Sequence, residues 1–295
     1  MMNIATRGLR LARHPLASYF GLAFALSWLI EVPLALQAHG LLGIELPFAL
    51  HYLAGFGPLL AAVLVSLSCG GTRSLADLLG QLGRWRVGPS WWLVAVSPLV
   101  ALVLVSAVVS TADGDVLGIT ALGEVDFLPS LGFAAPLFWF ATFGVGEETG
   151  WRGFALPRLQ RAHSSLAATL FLWALWALWH APLFFYLYPP SVLPGLVSGL
   201  LAGAIVFTWI FNSTGGSVLI VAIWHGLFDS TTACTACKAS PTAAVISTLV
   251  MVWAVAVIVI FGPARLSRRA KVTAEDPGRS RSQLDGALVA SLGGR

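Results

Sequence analysis

Apolar residues along this chain are gathered into eight long runs. The runs cover 18–37, 47–69, 91–111, 132–150, 166–187, 192–211, 216–234 and 242–262. Each has roughly the 20 residues that an α-helix needs to cross the hydrocarbon core of a bilayer. The pattern therefore predicts an all-α polytopic membrane protein, built as a bundle of about eight transmembrane helices.

The composition agrees with this prediction and limits the number of domains. The chain has 295 residues, of which 57% are hydrophobic and 10% are charged, whereas soluble domains carry roughly 25% charged residues. We expect one transmembrane domain over 1–262, with the chemistry concentrated in 132–235. The remainder, 263–295, is rich in Arg, Ser and Gly, and we expect a basic, disordered cytoplasmic tail.

Basic residues fall at the two termini and in alternate loops, which predicts the orientation. With eight spans, these groups all lie on the side that membrane proteins keep in the cytoplasm. The groups are Arg7, Arg10 and Arg13; Arg73, Arg84 and Arg86; Arg152, Arg158 and Arg161; and Arg265, Arg268, Arg269 and Lys271. We therefore expect an integral protein of a bacterial plasma membrane with both termini cytoplasmic. The net charge of +4 follows from this orientation and does not indicate nucleic-acid binding.

Six ionisable side chains, in three clusters, lie inside or at the edge of three of the apolar runs. Insertion scales put the cost of a charge at the centre of a membrane helix at about 3 kcal/mol. Three such clusters therefore predict one polar site inside the bundle. Its candidate residues are Glu147, Glu148, Arg152, His180, His225 and Asp229.

The first cluster, in GEETGWRG, combines two acids and one base. Glu148 and Arg152 stand four residues apart, on one face of a helix, so they can form an ion pair. Glu147 has no such local partner. This arrangement favours a structural role for Glu148 and the role of a base for Glu147. The alternative is a helix end at which all three are solvated by lipid headgroups.

Histidines mark the other two clusters. His180 lies in run five just before Pro182, where a bend is expected; the alternative role is a hydrogen bond between helices. His225 and Asp229 are again four residues apart. Asp229 can orient the imidazole, or both can face one substrate oxygen or one metal ion.

These residue types suit the activation of a water molecule. A Glu–His pair can do this without metal, and two histidines with a carboxylate can do it through zinc. The zinc alternative uses Glu147, His180 and His225. The sequence contains neither a helical HExxH motif nor a GxSxG nucleophile elbow, so water activation is the hydrolytic chemistry that remains. For the CTAC sequence of Cys234 and Cys237 we expect two small loop residues, with a disulfide as the alternative.

In their order, these motifs resemble the CAAX-protease and bacteriocin-processing (CPBP, or Abi) family of intramembrane proteases. EETGWR matches the EExxxR motif of that family, Trp176 to His180 matches FxxxH, and His225 to Asp229 matches HxxxN or HxxxD. The departures are Trp for Phe at 176 and Asp for Asn at 229. The resemblance covers roughly 50–235.

The resemblance implies an endopeptidase, named as a metalloprotease in the family, that cuts a membrane-associated or lipidated substrate in or near the bilayer. By analogy, Glu147 and His180 activate the water, His225 and Asp229 hold the oxyanion or complete the polar site, and Glu148 and Arg152 order it. Two alternatives stay open at this point. One is a non-catalytic immunity or scaffolding protein of the same fold, and the other is a proton-coupled transporter.

Overall fold

The structure is a computed structural model that describes residues 11–109, 116–125 and 130–274, and these parts of the chain are helical without any strand. The α-helices are α1 (Pro15–Ala38), α2 (Leu50–Ala54), α3 (Gly57–Gly80), α4 (Pro89–Val109), α5 (Ala135–Trp139), α6 (Gly146–Gly150), α7 (Leu156–Leu159), α8 (Ser165–Trp179), α9 (Leu193–Ser213), α10 (Val218–Ala233), α11 (Thr235–Ala239) and α12 (Thr242–Phe261). The predicted all-α class is confirmed.

Shorter helical segments connect these helices. Two π-helical segments, Phe140–Val145 and Trp151–Ala155, join α5, α6 and α7 into one continuous helical stretch. In the described parts of the connections lie four 3₁₀ segments, at Ile119–Gly123, Gly132–Ala134, Ala181–Phe185 and Pro190–Val192.

Among the described residues, six helical stretches are long and apolar enough to cross a membrane. They are Pro15–Ala38, Leu50–Gly80, Pro89–Val109, Ser165–Phe185, Pro190–Ser213 and Thr242–Phe261. Each matches one of the predicted runs. The integral-membrane prediction therefore agrees with the fold.

The other two predicted runs form the interior of the bundle. The fourth run becomes the α5–α7 stretch, which is almost fully buried from Thr142 onward, and the seventh becomes α10, with 16 residues. Helix α10 packs against α4 and against the first π segment. Because protein rather than lipid surrounds much of these two elements, they can carry the polar side chains that a lipid-facing helix excludes.

Two glycines set the distance between these inner elements. A Cβ atom on Gly144 would lie 2.3 Å from the carbonyl oxygen of Ala222, and a Cβ atom on Gly226 would lie 2.6 Å from the backbone of Phe140. The two backbones therefore touch directly, as small residues allow in membrane bundles. Because His225 directly precedes Gly226, the contact brings its side chain toward the α5–α7 stretch.

The first part of the predicted tail is ordered, so the expectation of disorder is wrong for 263–274. The amide of Asn212 donates to the carbonyl oxygen of Arg265 at 2.9 Å, and that of Gln160 donates to the carbonyl oxygen of Val272 at 2.8 Å. Composition shows that this stretch is polar, but it does not show that buried amides on two helices bind its backbone. The rest of the predicted tail lies outside the described residues.

The CTAC sequence follows α10 and closes on itself. Cys234 and Cys237 are joined by a disulfide, with their Cα atoms 5.1 Å apart, and both are buried. The prediction of two unbonded loop residues is therefore wrong, and the alternative of a disulfide is confirmed. The nitrogen of Thr235 donates to the carbonyl oxygen of Glu124 at 2.9 Å, which ties this end of α10 to the loop before α5.

We predict that Gly226→Ala lowers stability because its new methyl group has no space between two backbones. Overpacking of this kind costs about 1–3 kcal/mol. Thermal unfolding of the purified protein in detergent measures the effect. The matched control is Gly199→Ala in α9, where no atom lies within 4 Å of the added Cβ. Equal unfolding temperatures for the two variants would contradict the close contact.

Candidate active site

Glu147 and Glu148 occupy a short α-helical turn between the two π segments. A π turn inserts an extra residue into a helix and is frequent at functional sites. Here the turns change the direction of the side chains on either side of α6, the helix that carries both acids. Glu147 is 3% exposed and Glu148 is fully buried.

Glu148 forms the ion pair that its spacing predicts. Its Oε1 accepts a hydrogen bond from Nη1 of Arg152 at 2.8 Å, and both side chains are fully buried. The same oxygen lies 2.8 Å from Nδ1 of His225 on α10. One carboxylate oxygen therefore serves a guanidinium on its own helix and an imidazole on another.

His225 lies between two carboxylates. Its Nε2 is 3.4 Å from Oδ2 of Asp229, which is longer than an ordinary N–H···O hydrogen bond of about 2.7–3.2 Å. The side chain of His225 is 5% exposed and that of Asp229 is 26% exposed. Asp229 therefore lies at the rim of the site, and its contact with Nε2 of His225 is weak.

Aromatic rings enclose Arg152. Its guanidinium carbon lies 4.6 Å from the ring centre of Trp176 and 4.6 Å from that of Phe207. Desolvated cation–π contacts of this kind contribute about 2 kcal/mol each. They bring α8 and α9 to the ion pair. Phe207 was not among the sequence candidates; as one of several aromatic residues in an apolar helix, it gives no distinguishing signal in the sequence.

Trp176 contacts both Glu147 and His180. The indole Nε1 of Trp176 donates to Oε2 of Glu147 at 2.7 Å, and Nδ1 of His180 lies 2.7 Å from the carbonyl oxygen of Trp176. His180 caps the C-terminus of α8 instead of lying inside a helix, and the 3₁₀ segment with Pro182 follows it. The structure therefore joins the two predicted water-activating residues through one tryptophan.

A second polar group near the site was missed by the sequence reasoning. Glu31 of α1 is 1% exposed, and its Oε2 has no hydrogen-bond partner within the described parts of the chain. Its carboxyl group interacts electrostatically with that of Glu147. Nearby, Nδ1 of His51 lies 2.8 Å from the hydroxyl of Tyr186. An acid inside the first apolar run was the signal that could have identified Glu31.

The zinc alternative does not fit this arrangement. In the stretches 11–109, 116–125 and 130–274, no three His, Cys, Asp or Glu side chains converge as the ligands of one metal ion. Of the residues proposed for zinc, Glu147 and His180 are committed to Trp176, and His225 lies between Glu148 and Asp229.

Comparisons with known proteins match the segment that carries this site. Residues 129–231 match the family described as type II CAAX prenyl endopeptidase Rce1-like. A curated protein of Methanococcus maripaludis, CAAX prenyl protease 2, is 32% identical over 115 residues. The match covers 36% of this chain and 40% of that relative, so the chain matches less than half the length of the relative.

The matched segment contains the elements that the ordered motifs occupy. It includes the stretch α5–α7, α8, α9 and most of α10, which together supply Glu147, Glu148, His180 and His225. The motifs, their order and both comparisons agree. Over residues 129–231 the chain is therefore similar to the type II CAAX prenyl endopeptidase family.

Proposed function

We propose that this protein is an intramembrane endopeptidase that hydrolyses a peptide bond with a water molecule activated by Glu147 and His180. The observation that carries the proposal is the shared attachment of both residues to Trp176, beside the buried ion cluster of Glu148, Arg152 and His225. The relative named CAAX prenyl protease 2 supports the same class of reaction.

Glu147 serves as the general base in this mechanism. Its Oε2 is held by Trp176, which leaves Oε1 to accept a proton from the water. The water oxygen then bonds to the carbonyl carbon of the substrate, and the carbonyl oxygen becomes an oxyanion. When the C–N bond breaks, the leaving nitrogen takes the proton back from Glu147, and the products are a carboxylic acid and an amine.

His180 orients the water from the other side. A backbone carbonyl only accepts hydrogen bonds, so Nδ1 of His180 carries the hydrogen that faces Trp176. Nε2 of the neutral ring then has a free lone pair. That lone pair accepts a hydrogen bond from the same water and points its oxygen toward the substrate.

His225 stabilises the oxyanion. Its Nδ1 lies 2.8 Å from Oε1 of Glu148, an ion-pair distance without hydrogen-bond geometry, and its Nε2 lies 3.4 Å from Oδ2 of Asp229. An N–H group at this end can turn to a developing negative charge, and a preorganised donor of this type contributes about 3–4 kcal/mol to the lowering of a reaction barrier. Asp229 orients the ring and completes the rim, while Glu148 and Arg152 fix the ring from within.

The location of the site defines the class of substrate. Apolar helices surround the reacting groups, so the scissile segment must approach from the bilayer or its surface. We propose a membrane-associated protein as substrate, held at the bilayer by a lipid or an apolar segment. We also propose one functional domain, which extends beyond the predicted 1–262 to include the ordered segment 263–274, with both termini in the cytoplasm.

The first prediction for the proposed reaction concerns the base. Glu147→Gln keeps the shape and the hydrogen bond to Trp176 but cannot take the proton, so we expect cleavage to fall by about 10²–10⁴-fold. The measurement compares protein termini in the membrane proteomes of cells with the wild type and with the variant. Cleavage of the shifted protein is then repeated with purified enzyme in liposomes.

The matched control for this experiment is Glu45→Gln, at an exposed acid in the loop before α2. It should cleave like the wild type. Full biological activity of Glu147→Gln would favour a non-catalytic scaffolding protein, and proton flux through purified liposomes would favour a transporter. Either result would contradict the protease mechanism.

The second prediction separates structure from chemistry. Arg152→Ala leaves Glu148 buried without its cation, and loss of one partner of a buried pair costs about 3–5 kcal/mol. We expect a large drop in the thermal unfolding temperature in detergent. Glu147→Gln should unfold close to the wild type, because it leaves this pair intact. Similar stability losses for both variants would refute the division of roles between the two acids.

The third prediction concerns metal ions. Because the site residues do not converge on one metal position, cleavage should survive removal of metals. Purified enzyme dialysed against EDTA and then 1,10-phenanthroline should keep its rate within about a factor of two. A loss of cleavage that returns when Zn²⁺ is added would show that a metal acts in the reaction.

A further inference from the structure

Trp176 makes one hydrogen bond with its side chain and one with its backbone, and each goes to a different residue of the proposed reaction. The indole N–H donates to Glu147, and the carbonyl oxygen faces Nδ1 of His180, both at 2.7 Å. The residue is 3% exposed. The indole of Trp176 therefore fixes the carboxylate of Glu147 on α6. The backbone carbonyl of the same residue fixes the imidazole of His180, which caps α8.

The bond to Glu147 selects one of its two oxygens. An indole N–H only donates, and a carboxylate offers two acceptor atoms. With Oε2 occupied, Oε1 is the oxygen that remains for a water molecule. Because a charge-assisted bond of this length is strong and directional, the carboxylate cannot rotate freely away from the substrate.

Phenylalanine, the residue that the matching motif has at this position, could not supply the bond. A phenyl ring would keep the aromatic surface against Arg152 and Phe207, which lie 4.6 Å and 6.0 Å from the Trp176 ring. Those contacts depend on the face of the ring and not on its nitrogen. The hydrogen bond to Glu147 is therefore a separate property of tryptophan in this chain.

We propose that Trp176 is a positioning residue, which holds Glu147 in the orientation for proton transfer and fixes the tautomer of His180. This inference rests on the proposed function, because it assigns Trp176 a task in the reaction of Glu147 and His180. Trp176 itself acts only through these two residues.

Trp176→Phe tests the task of the indole nitrogen. The variant keeps the backbone carbonyl and most of the ring, and it loses the N–H group. We expect kcat to fall by about 10- to 100-fold, which corresponds to the loss of a hydrogen bond to a charged group. KM should stay within about twofold, since the lost bond orients the base and does not hold the substrate.

The matched control is Trp151→Phe. Trp151 is fully buried, and its Nε1 has no hydrogen-bond partner among the described residues, so the same substitution removes ring volume without removing a bond. It should keep kcat within about twofold of the wild type. Wild-type kcat in Trp176→Phe, or an equal loss in both variants, would overturn the proposal.

A spectroscopic measurement tests the bond without any substrate. The chain has 12 tryptophans, so the signal of Trp176 is taken as the ultraviolet resonance Raman difference between the wild type and Trp176→Phe. That difference should show a strongly hydrogen-bonded indole. The same difference recorded in a Glu147→Leu background should show an unbonded one.

The two measurements separate the two proposals. If the wild-type protein cleaves no peptide, the proposed function fails, and the Raman difference still decides whether Trp176 holds Glu147. If cleavage is present and the Raman difference is identical in the two backgrounds, the proposed function stands and the role of Trp176 is refuted.

Discussion

Oxygen Oε1 of Glu148 is the point on which the interior of this bundle depends. It contacts Arg152 along its own helix and His225 on α10, at 2.8 Å in both cases, and the three side chains are at most 5% exposed. A buried charge is tolerated only when its partners are in place. The direct backbone contact at Gly144 and Gly226 brings the α5–α7 stretch close enough to α10 for Glu148 to contact His225.

This constraint also gives the neighbouring acids Glu147 and Glu148 different partners. Oε1 of Glu148 contacts both Arg152 and His225, whereas Oε2 of Glu147 is bound by the neutral indole of Trp176 on α8. An acid bound by a neutral donor keeps one oxygen available for chemistry. The aromatic rings around Arg152 stabilise the cation that pairs with Glu148, and the indole nitrogen of Trp176 binds Glu147.

The sequence predicted the parts of this structure that depend on neighbours along one helix. Run lengths located the membrane helices, and the spacing of four residues identified Glu148 with Arg152 and His225 with Asp229. Run lengths and residue spacing could not predict contacts between helices. The bond from Trp176 to Glu147 and the contact between Glu148 and His225 depend on how α6, α8 and α10 are rotated, which no spacing specifies.

Two errors have the same physical origin. Glu31 was overlooked because its electrostatic interaction with Glu147 exists only after α1 folds against the site. The segment 263–274 was expected to be disordered because its composition is polar, but Gln160 and Asn212 bind its backbone from the helix ends. In both cases the deciding partner is distant along the chain. The roles of the site residues stay predictions until they are measured.

The most direct test of the central claim is the position of a water molecule at the site. An experimental structure in lipid nanodiscs, at a resolution that shows ordered water, would measure the separation between Oε1 of Glu147 and Nε2 of His180. We predict one water within hydrogen-bond distance of both atoms. A separation too large for a single water to bridge would contradict the proposed activation of water by this pair.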